Sequence, residues 1–372
     1  MNALHDRFSG CIIGGAAGDA LGYPVEFRRR DEILRIHGAS GVTSYSYFDG
    51  FDKALVSDDT QMTLFTANGL LRCAALKQNG ESPDETDCIR TAYLEWLLTQ
   101  DYATAPHPFT KQGAKAELPL NPADYHSWLM EIPWLYGRRA PGNTCLTALI
   151  NGGNSSFSAP LNHSKGCGGV MRTAPAGLYA ETAEEAMRIG AEAAVLTHGH
   201  PLGYLPAGAL SYIVHRAVRT ELPLAQITAE SLDAADAMFA KIDAAAEYLH
   251  DFRAIMEWAL EYAGNPQYSD AEAIKQLGEG WVGEEALAVA VYCAVRHEND
   301  FAQCLTASVS HDGDSDSTGA IAGNILGARL GLSAIPSSLT DTLEGTAEMQ
   351  QLADDLFHLN SHDDAWRRRY LR

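Results

Sequence analysis

Apolar residues along this chain recur every three or four positions, the period that lines them up on one face of an α-helix. Residues 57–77 are the clearest case, with Met62, Phe65, Ala67, Leu70, Leu71, Ala74 and Ala75 forming one apolar stripe. The period returns at 87–100 (Ile89, Ala92, Tyr93, Trp96, Leu97), at 182–197 and 203–218, in an alanine-rich stretch over 232–263, and at 284–297 and 299–307. Strict polar–apolar alternation never runs past four residues, so no strand is expected. The pattern predicts an all-α protein, a multi-helix bundle around one core and a single domain over 1–372.

Two helical segments depart from ordinary composition. Gly10, Gly14, Gly18 and Gly22 stand four apart, and so do Gly319, Gly323 and Gly327 in the segment 318–331. Each glycine costs about 1 kcal/mol relative to alanine in a helix interior. Two bare ridges packed against each other would be the compensation. The G-x-G-x-x-G fingerprint and its preceding strand are missing at 10–22, which excludes a dinucleotide fold there. Tyr23-Pro24 should end the first helix, because proline disfavours helical geometry at the residue before it.

Between 103 and 165 the helical period is lost. Pro106, Pro108, Pro119, Pro122, Pro133, Pro141 and Pro160 recur among Trp128, Trp134 and Tyr136. A long irregular stretch of this kind reads as a loop-rich insertion on the substrate side. Within it, Arg138-Arg139 beside Pro141-Gly142 either meets an anion or lies solvated.

Charge narrows the partners. Across 372 residues the formal net charge is −21, a field that repels nucleic-acid backbones and anionic membranes. The seven cysteines are scattered without a C-x-x-C pair, which suggests reduced thiols in a cytoplasm. Segment 10–22 is short, lacks a basic leader and contains Asp19, so neither a signal peptide nor a membrane span is expected.

The candidate chemistry lies in two oxygen-rich runs, Ser57-Asp58-Asp59-Thr60 and Asp314-Ser315-Asp316-Ser317, each opening into a helical segment. Carboxylates and hydroxyls in this density suit hard divalent cations. Serine caps and first-turn aspartates also stabilise a helix without any metal, so each run alone has a purely structural reading. Asp312-x-Asp314-x-Asp316 resembles the start of an EF-hand, but Ser317 and Gly323 stand where that loop needs glycine and glutamate. Glu26 follows the first glycine helix in a turn. Residues 165–172 (Lys165-Gly166-Cys167-Gly168-Gly169-Val170-Met171-Arg172) are glycine-rich, either a cradle for pyrophosphate oxygens or a tight turn before a buried helix. Cys167 with His198 permits a thiol nucleophile, though no third orienting group is visible. His198-x-His200 lacks a further zinc ligand nearby; a hydrogen bond from His198 to substrate is the better reading.

Taken in order, Gly18-Asp19-Ala20-Leu21-Gly22 with Glu26, Ser57-Asp58-Asp59-Thr60, the loop 165–172, Thr197-His198 and Gly313-Asp314-Ser315-Asp316-Ser317 resemble the ADP-ribosylglycohydrolase family. The resemblance spans residues 10–331 and implies an orthogonal all-α bundle holding two Mg²⁺ ions, with Mn²⁺ as the alternative. It assigns Ser57, Asp58, Asp59, Asp314, Asp316 and Ser317 to the metals. Glu26 would act as the catalytic carboxylate, with Asp59 as the other candidate. Lys165, Gly166, Cys167, Gly168, Gly169, Val170 and Met171 would cradle the pyrophosphate, and His198 and Trp281 would line the ADP-ribose pocket. It also implies an ADP-ribosylated protein as substrate, most simply one modified on arginine, with serine or a small conjugate as alternatives. A cognate ADP-ribosyltransferase is a further partner the acidic surface would suit, and a non-catalytic relative is the rival reading. Gly-Cys-Gly-Gly at 166–169 departs from the Gly-Asn-Gly-Ala-like run of better-known members.

Overall fold

A computed structural model describes residues 2–100, 125–359 and 363–371. In chain order the helices are α1 (Ala3–Gly22), α2 (Arg30–His37), α3 (Asp58–Gln78), α4 (Glu85–Thr99), α5 (Asn143–Ile150) and α6 (Ala174–Tyr179). They continue with α7 (Ala183–Val195), α8 (Pro201–Arg219), α9 (Leu224–Phe239), α10 (Asp243–Ala246), α11 (Leu249–Gly264) and α12 (Asp270–Leu277). The last five are α13 (Gly283–Arg296), α14 (Phe301–Val309), α15 (Ser315–Leu330), α16 (Thr346–Phe357) and α17 (Asp364–Tyr370). Among the described residues there are isolated β-bridges and no strand.

The centre of the bundle is the pair α1 and α15. From Phe8 to Gly22 every residue of α1 is buried, and so is α15 from Ser315 to Ala328. A helix enclosed on all sides cannot rely on one apolar stripe, and these two instead meet backbone to backbone. A methyl group at Gly18 would stand 2.0 Å from the Gly319 carbonyl oxygen, and one at Gly323 2.0 Å from that of Gly14. The two glycine ridges therefore pack as their spacing predicts. Asn324 fastens the pair by donating to the Cys11 carbonyl at 2.8 Å. Around this axis lie α3 with α4, the antiparallel pair α7 and α8, α13 with α11, and α16.

Several boundaries differ from the periodic reading. Helix α1 starts at Ala3, capped by the Asn2 side chain, which accepts the Leu4 N–H at 3.1 Å. The alanine-rich stretch 232–263 is broken into the end of α9, then α10 and α11. Phe239 and Phe252 are both buried in the core. At about 100° per residue, one continuous helix would set these two rings roughly 220° apart. The break brings both inward. Helix α15 begins three residues earlier than the apolar pattern suggests, because Asp314 caps it by accepting the Ser317 N–H at 3.3 Å.

Of the 103–165 insertion, 103–124 lie outside the described residues, with Pro106, Pro108, Pro119 and Pro122. The remainder packs tightly: Leu129 and Leu135 are fully buried, and Gln61 on α3 donates to the Gly137 carbonyl at 2.9 Å. Arg139 pairs with Glu344 at 3.1 Å, and its carbonyl accepts the Asp58 N–H at 3.0 Å.

Candidate metal centre

Helix α1 joins the two acidic motifs. Its Asp19, fully buried, accepts the Ser57 N–H at 2.9 and 3.0 Å, the Thr60 N–H at 3.1 Å and the Thr60 hydroxyl. This carboxylate sits at the N-terminus of α3, where unpaired N–H groups and the helix dipole favour negative charge. Ser57 caps the same end, its Oγ accepting the Asp59 N–H at 3.1 Å. At the other contact of α1, a methyl at Gly22 would lie 2.2 Å from the Ser315 carbonyl oxygen and 2.6 Å from the Asp316 nitrogen. The first turn of α15 thus rests directly on α1, beside the turn that carries Glu26.

The result is a buried cluster of carboxylates. Glu26, Asp314 and Asp316 each offer an oxygen, and these three oxygens lie within 4.8 Å of one another. The two motifs come together here, with Asp59 of the first close enough to feel the charge of Asp314 in the second. Asp58 accepts the Gly142 N–H at 3.3 Å. Burial first, then the neighbouring carboxylates, pushes Glu26 up to about 8. Burial likewise takes Asp58 to about 8, and Asp59 and Asp316 go well above the usual carboxylate range. Glu26 and Asp316 lie close enough for each charge to raise the cost of the other.

This environment fits a cation. Glu26 Oε2 and Asp59 Oδ2 are buried and have no hydrogen-bond partner among the described residues. A buried acceptor left without a donor costs about 1–3 kcal/mol. The surrounding set is carboxylate and hydroxyl oxygen, the chemistry that Mg²⁺ and Mn²⁺ take. Glu26 stands among the prospective ligand oxygens themselves.

Beside the cluster runs the glycine-rich loop. Cys167 donates its N–H to the Trp281 carbonyl at 3.2 Å, Gly166 bridges to Val282, and Lys165 pairs with Glu284. The Gly166 N–H is bonded to Ser164 Oγ at 3.3 Å, and those of Val170 and Met171 to the Cys167 carbonyl. Cys167–Gly169 form a short 3₁₀ turn, with Gly169 buried. Val170 and Met171 are buried in the core and anchor the loop from within.

His198 lies beneath this loop and is almost wholly enclosed. A methyl at Gly168 would stand 3.1 Å from its ring, and its Nδ1 lies 2.8 Å from the Thr197 hydroxyl. Burial and then the Arg172 charge hold its pKa down at about 3, so the ring is neutral and supports the loop. Arg172, missed as a functional residue from sequence, is fully buried, with no carboxylate partner among the described residues. It donates to Thr197 Oγ1 at 2.6 Å and stacks over Tyr93 at 4.3 Å. The thiol-nucleophile idea does not survive this geometry. Cys167 Sγ donates to Asp314 Oδ2 at 2.7 Å, and burial pushes the thiol up, leaving His198 to Thr197. Trp281 is 38% exposed and stacks on Phe27 with centroids 5.7 Å apart.

The ADP-ribosylglycohydrolase profile matches residues 1–365. The chain belongs to the ADP-ribosylglycohydrolase family. Its chemistry is hydrolysis of a glycosidic bond to ADP-ribose. Among its relatives, the mouse ADP-ribosylhydrolase ARH3 is 30% identical over 376 residues, covering 94% of this chain and 90% of that protein. The ADP-ribosyl-[dinitrogen reductase] glycohydrolase of Rhodospirillum rubrum is 24% identical over 354 residues, with 94% of each chain covered. A solved structure described as an ADP-ribosylglycohydrolase-related protein complex superposes with a TM-score of 0.60 at 19% identity, over 97% of this chain and 100% of the other. It shares the all-α fold. Among the described residues no helix is long and apolar enough to cross a membrane.

Proposed function

We propose that this enzyme is a metal-dependent hydrolase that removes ADP-ribose from a modified protein side chain, with ADP-ribosyl-arginine as its preferred substrate. The observation that carries the reading is the pair of orphaned oxygens, Glu26 Oε2 and Asp59 Oδ2, buried in one carboxylate cluster. Asp59, Asp314 and Asp316 would hold the cations, with Asp58, Ser57 and Ser317 completing the shell and Glu26 beside them. Bound Mg²⁺ or Mn²⁺ supplies positive charge that polarises hydroxyl and water oxygens.

The remaining work falls to the chain itself. Gly168 and Gly169 present N–H groups to the pyrophosphate, over a floor made rigid by His198, Thr197 and Arg172. Cleavage builds cationic character at the anomeric carbon, which the surrounding carboxylates favour. Glu26 accepts the proton of the attacking water through Oε2, while Asp59 would be engaged by the cations. The six carboxylates Asp19, Glu26, Asp58, Asp59, Asp314 and Asp316, when charged, leave two negative charges beside two divalent cations. That residual field suits a guanidinium leaving group better than a neutral alcohol.

The test is release of free ADP-ribose from peptides modified separately on arginine and on serine, with and without Mg²⁺. Faster release from the arginine peptide is expected, lost by roughly 10²-fold or more in Asp316→Ala. Undiminished turnover in that variant would remove the metal reading, and faster serine release would reverse the substrate order.

A further inference from the structure

Resting on the reading of the glycine loop as a pyrophosphate cradle, we infer that Arg172 and Thr197 are positioning residues for His198. They fix its ring as the tautomer with the proton on Nε2, the nitrogen that faces the loop, so that the ring donates a hydrogen bond to a phosphate oxygen lying there. The three side chains form one chain of contacts. Arg172 donates from Nη2 to Thr197 Oγ1 at 2.6 Å, and that hydroxyl lies 2.8 Å from His198 Nδ1. The far edge of the ring meets the loop: a methyl at Gly166 or at Gly168 would stand 3.3 Å from Nε2. Among the described residues Nε2 has no acceptor, whereas Nδ1 has its partner in Thr197.

The number of protons sets the direction of this chain. A guanidinium carries donors and no acceptor, so Arg172 occupies one lone pair of the Thr197 oxygen. The hydroxyl then has a single proton to give. Its two acceptors in reach are the Ala194 carbonyl at 3.4 Å and His198 Nδ1 at 2.8 Å. Only the second distance is that of a good hydroxyl bond. Were Nδ1 to carry the proton instead, two donors would converge on one oxygen beside a buried positive charge, and the hydroxyl would keep only its long contact. Burial and the Arg172 charge hold the ring neutral, so its one proton sits on Nε2. The guanidinium keeps its aim because Nη2 also donates to the Ala193 carbonyl at 3.2 Å and its carbon lies over the Tyr93 ring at 4.3 Å. Its charge, buried without a carboxylate partner among the described residues, favours an anion in the loop above.

The experiment uses the full-length protein with Mg²⁺ and takes ADP-ribose itself as the probe. Calorimetry reads affinity. Spectra of ¹⁵N-labelled histidine read which ring nitrogen of His198 is protonated, its signals identified by their loss in His198→Ala. The parent should show Nε2–H. ADP-ribose affinity should fall roughly 10–100-fold in His198→Ala, the range of a hydrogen bond to a charged group. Thr197→Val keeps the shape and removes the hydroxyl; it should lose a comparable part, and Thr197→Ser should regain most of it. In a His198→Ala background, Thr197→Val should cost less than about threefold more, because the hydroxyl then has no ring to orient. Circular dichroism should report retained helix in each variant. Nδ1–H in the parent overturns the inference, as does a Thr197→Val loss undiminished in the absence of His198. Either result leaves the pyrophosphate cradle standing. A parent that fails to bind ADP-ribose removes the cradle and this inference with it.

Discussion

Glu26 illustrates how much a single side chain gains from its surroundings. In the sequence it is a turn residue after Pro24. In the fold it is buried beside Asp314 and Asp316, with one oxygen unbonded and its acidity weakened by burial and by its neighbours' charge. Glu26→Gln keeps the size and one acceptor oxygen but removes the base. Turnover on ADP-ribosyl-arginine peptide should fall by about 10²–10⁴-fold, with KM changed far less. Equal turnover in the variant would pass the role to Asp59. His198 likewise takes its setting from the fold: the ring is largely buried below Gly166 and Gly168, its Nδ1 2.8 Å from the Thr197 hydroxyl.

At the scale of elements, the site depends on how α1 holds α3 on one contact and α15 on another. Asp19 receives two backbone N–H groups and a hydroxyl from the start of α3. Asp19→Ala removes a helix cap and strands those donors, a loss of about 2 kcal/mol or more. Thermal unfolding and Mg²⁺ affinity should both drop, and Asp19→Asn should recover part of each. Gly22→Ala separates position from stability. Its new methyl would overlap the Ser315 carbonyl and the Asp316 nitrogen, while a distant ridge position such as Gly323→Ala overlaps only the Gly14 backbone and its neighbour. Overpacking costs about 1–3 kcal/mol, more than the roughly 1 kcal/mol that alanine returns in helix propensity. Both variants should melt earlier. Only Gly22→Ala should also lose metal affinity beyond its loss of stability, as calorimetry on the folded protein would reveal.

For the whole molecule, the buried acids couple cation binding to pH. Glu26 and Asp58 titrate near 8 in the cation-free fold, above the ordinary carboxylate range near 4 that they adopt when unfolded. The folded state therefore binds more protons, so the cation-free protein loses stability as pH rises from about 4 to 8. A cation needs the carboxylates ionised, so its binding releases protons and tightens over the same interval. Mg²⁺ at about 100 times its dissociation constant adds roughly 2.7 kcal/mol. The rise in melting temperature should be larger at pH 8 than at pH 6, and calorimetry in buffers of different ionisation enthalpy should detect the released protons. Equal shifts at both pH values would contradict the coupled cluster.

Much of this was legible along the chain, because caps, helical period and ligand chemistry are local. Ser57 announces the start of α3, the stripe from Met62 to Ala75 announces its length, and the spacing of Gly10 to Gly22 announces a close helix contact. The roles of Asp19 and Arg172, the burial of His198 and the break between Phe239 and Phe252 were not legible. Each rests on a partner or a core direction that spacing along the chain does not specify. Residue type alone said that oxygens were present to hold a cation. Only packing of α15 on the bare face of α1 set Asp316 beside Glu26, because the distance between two helix axes depends on what both ridges lack.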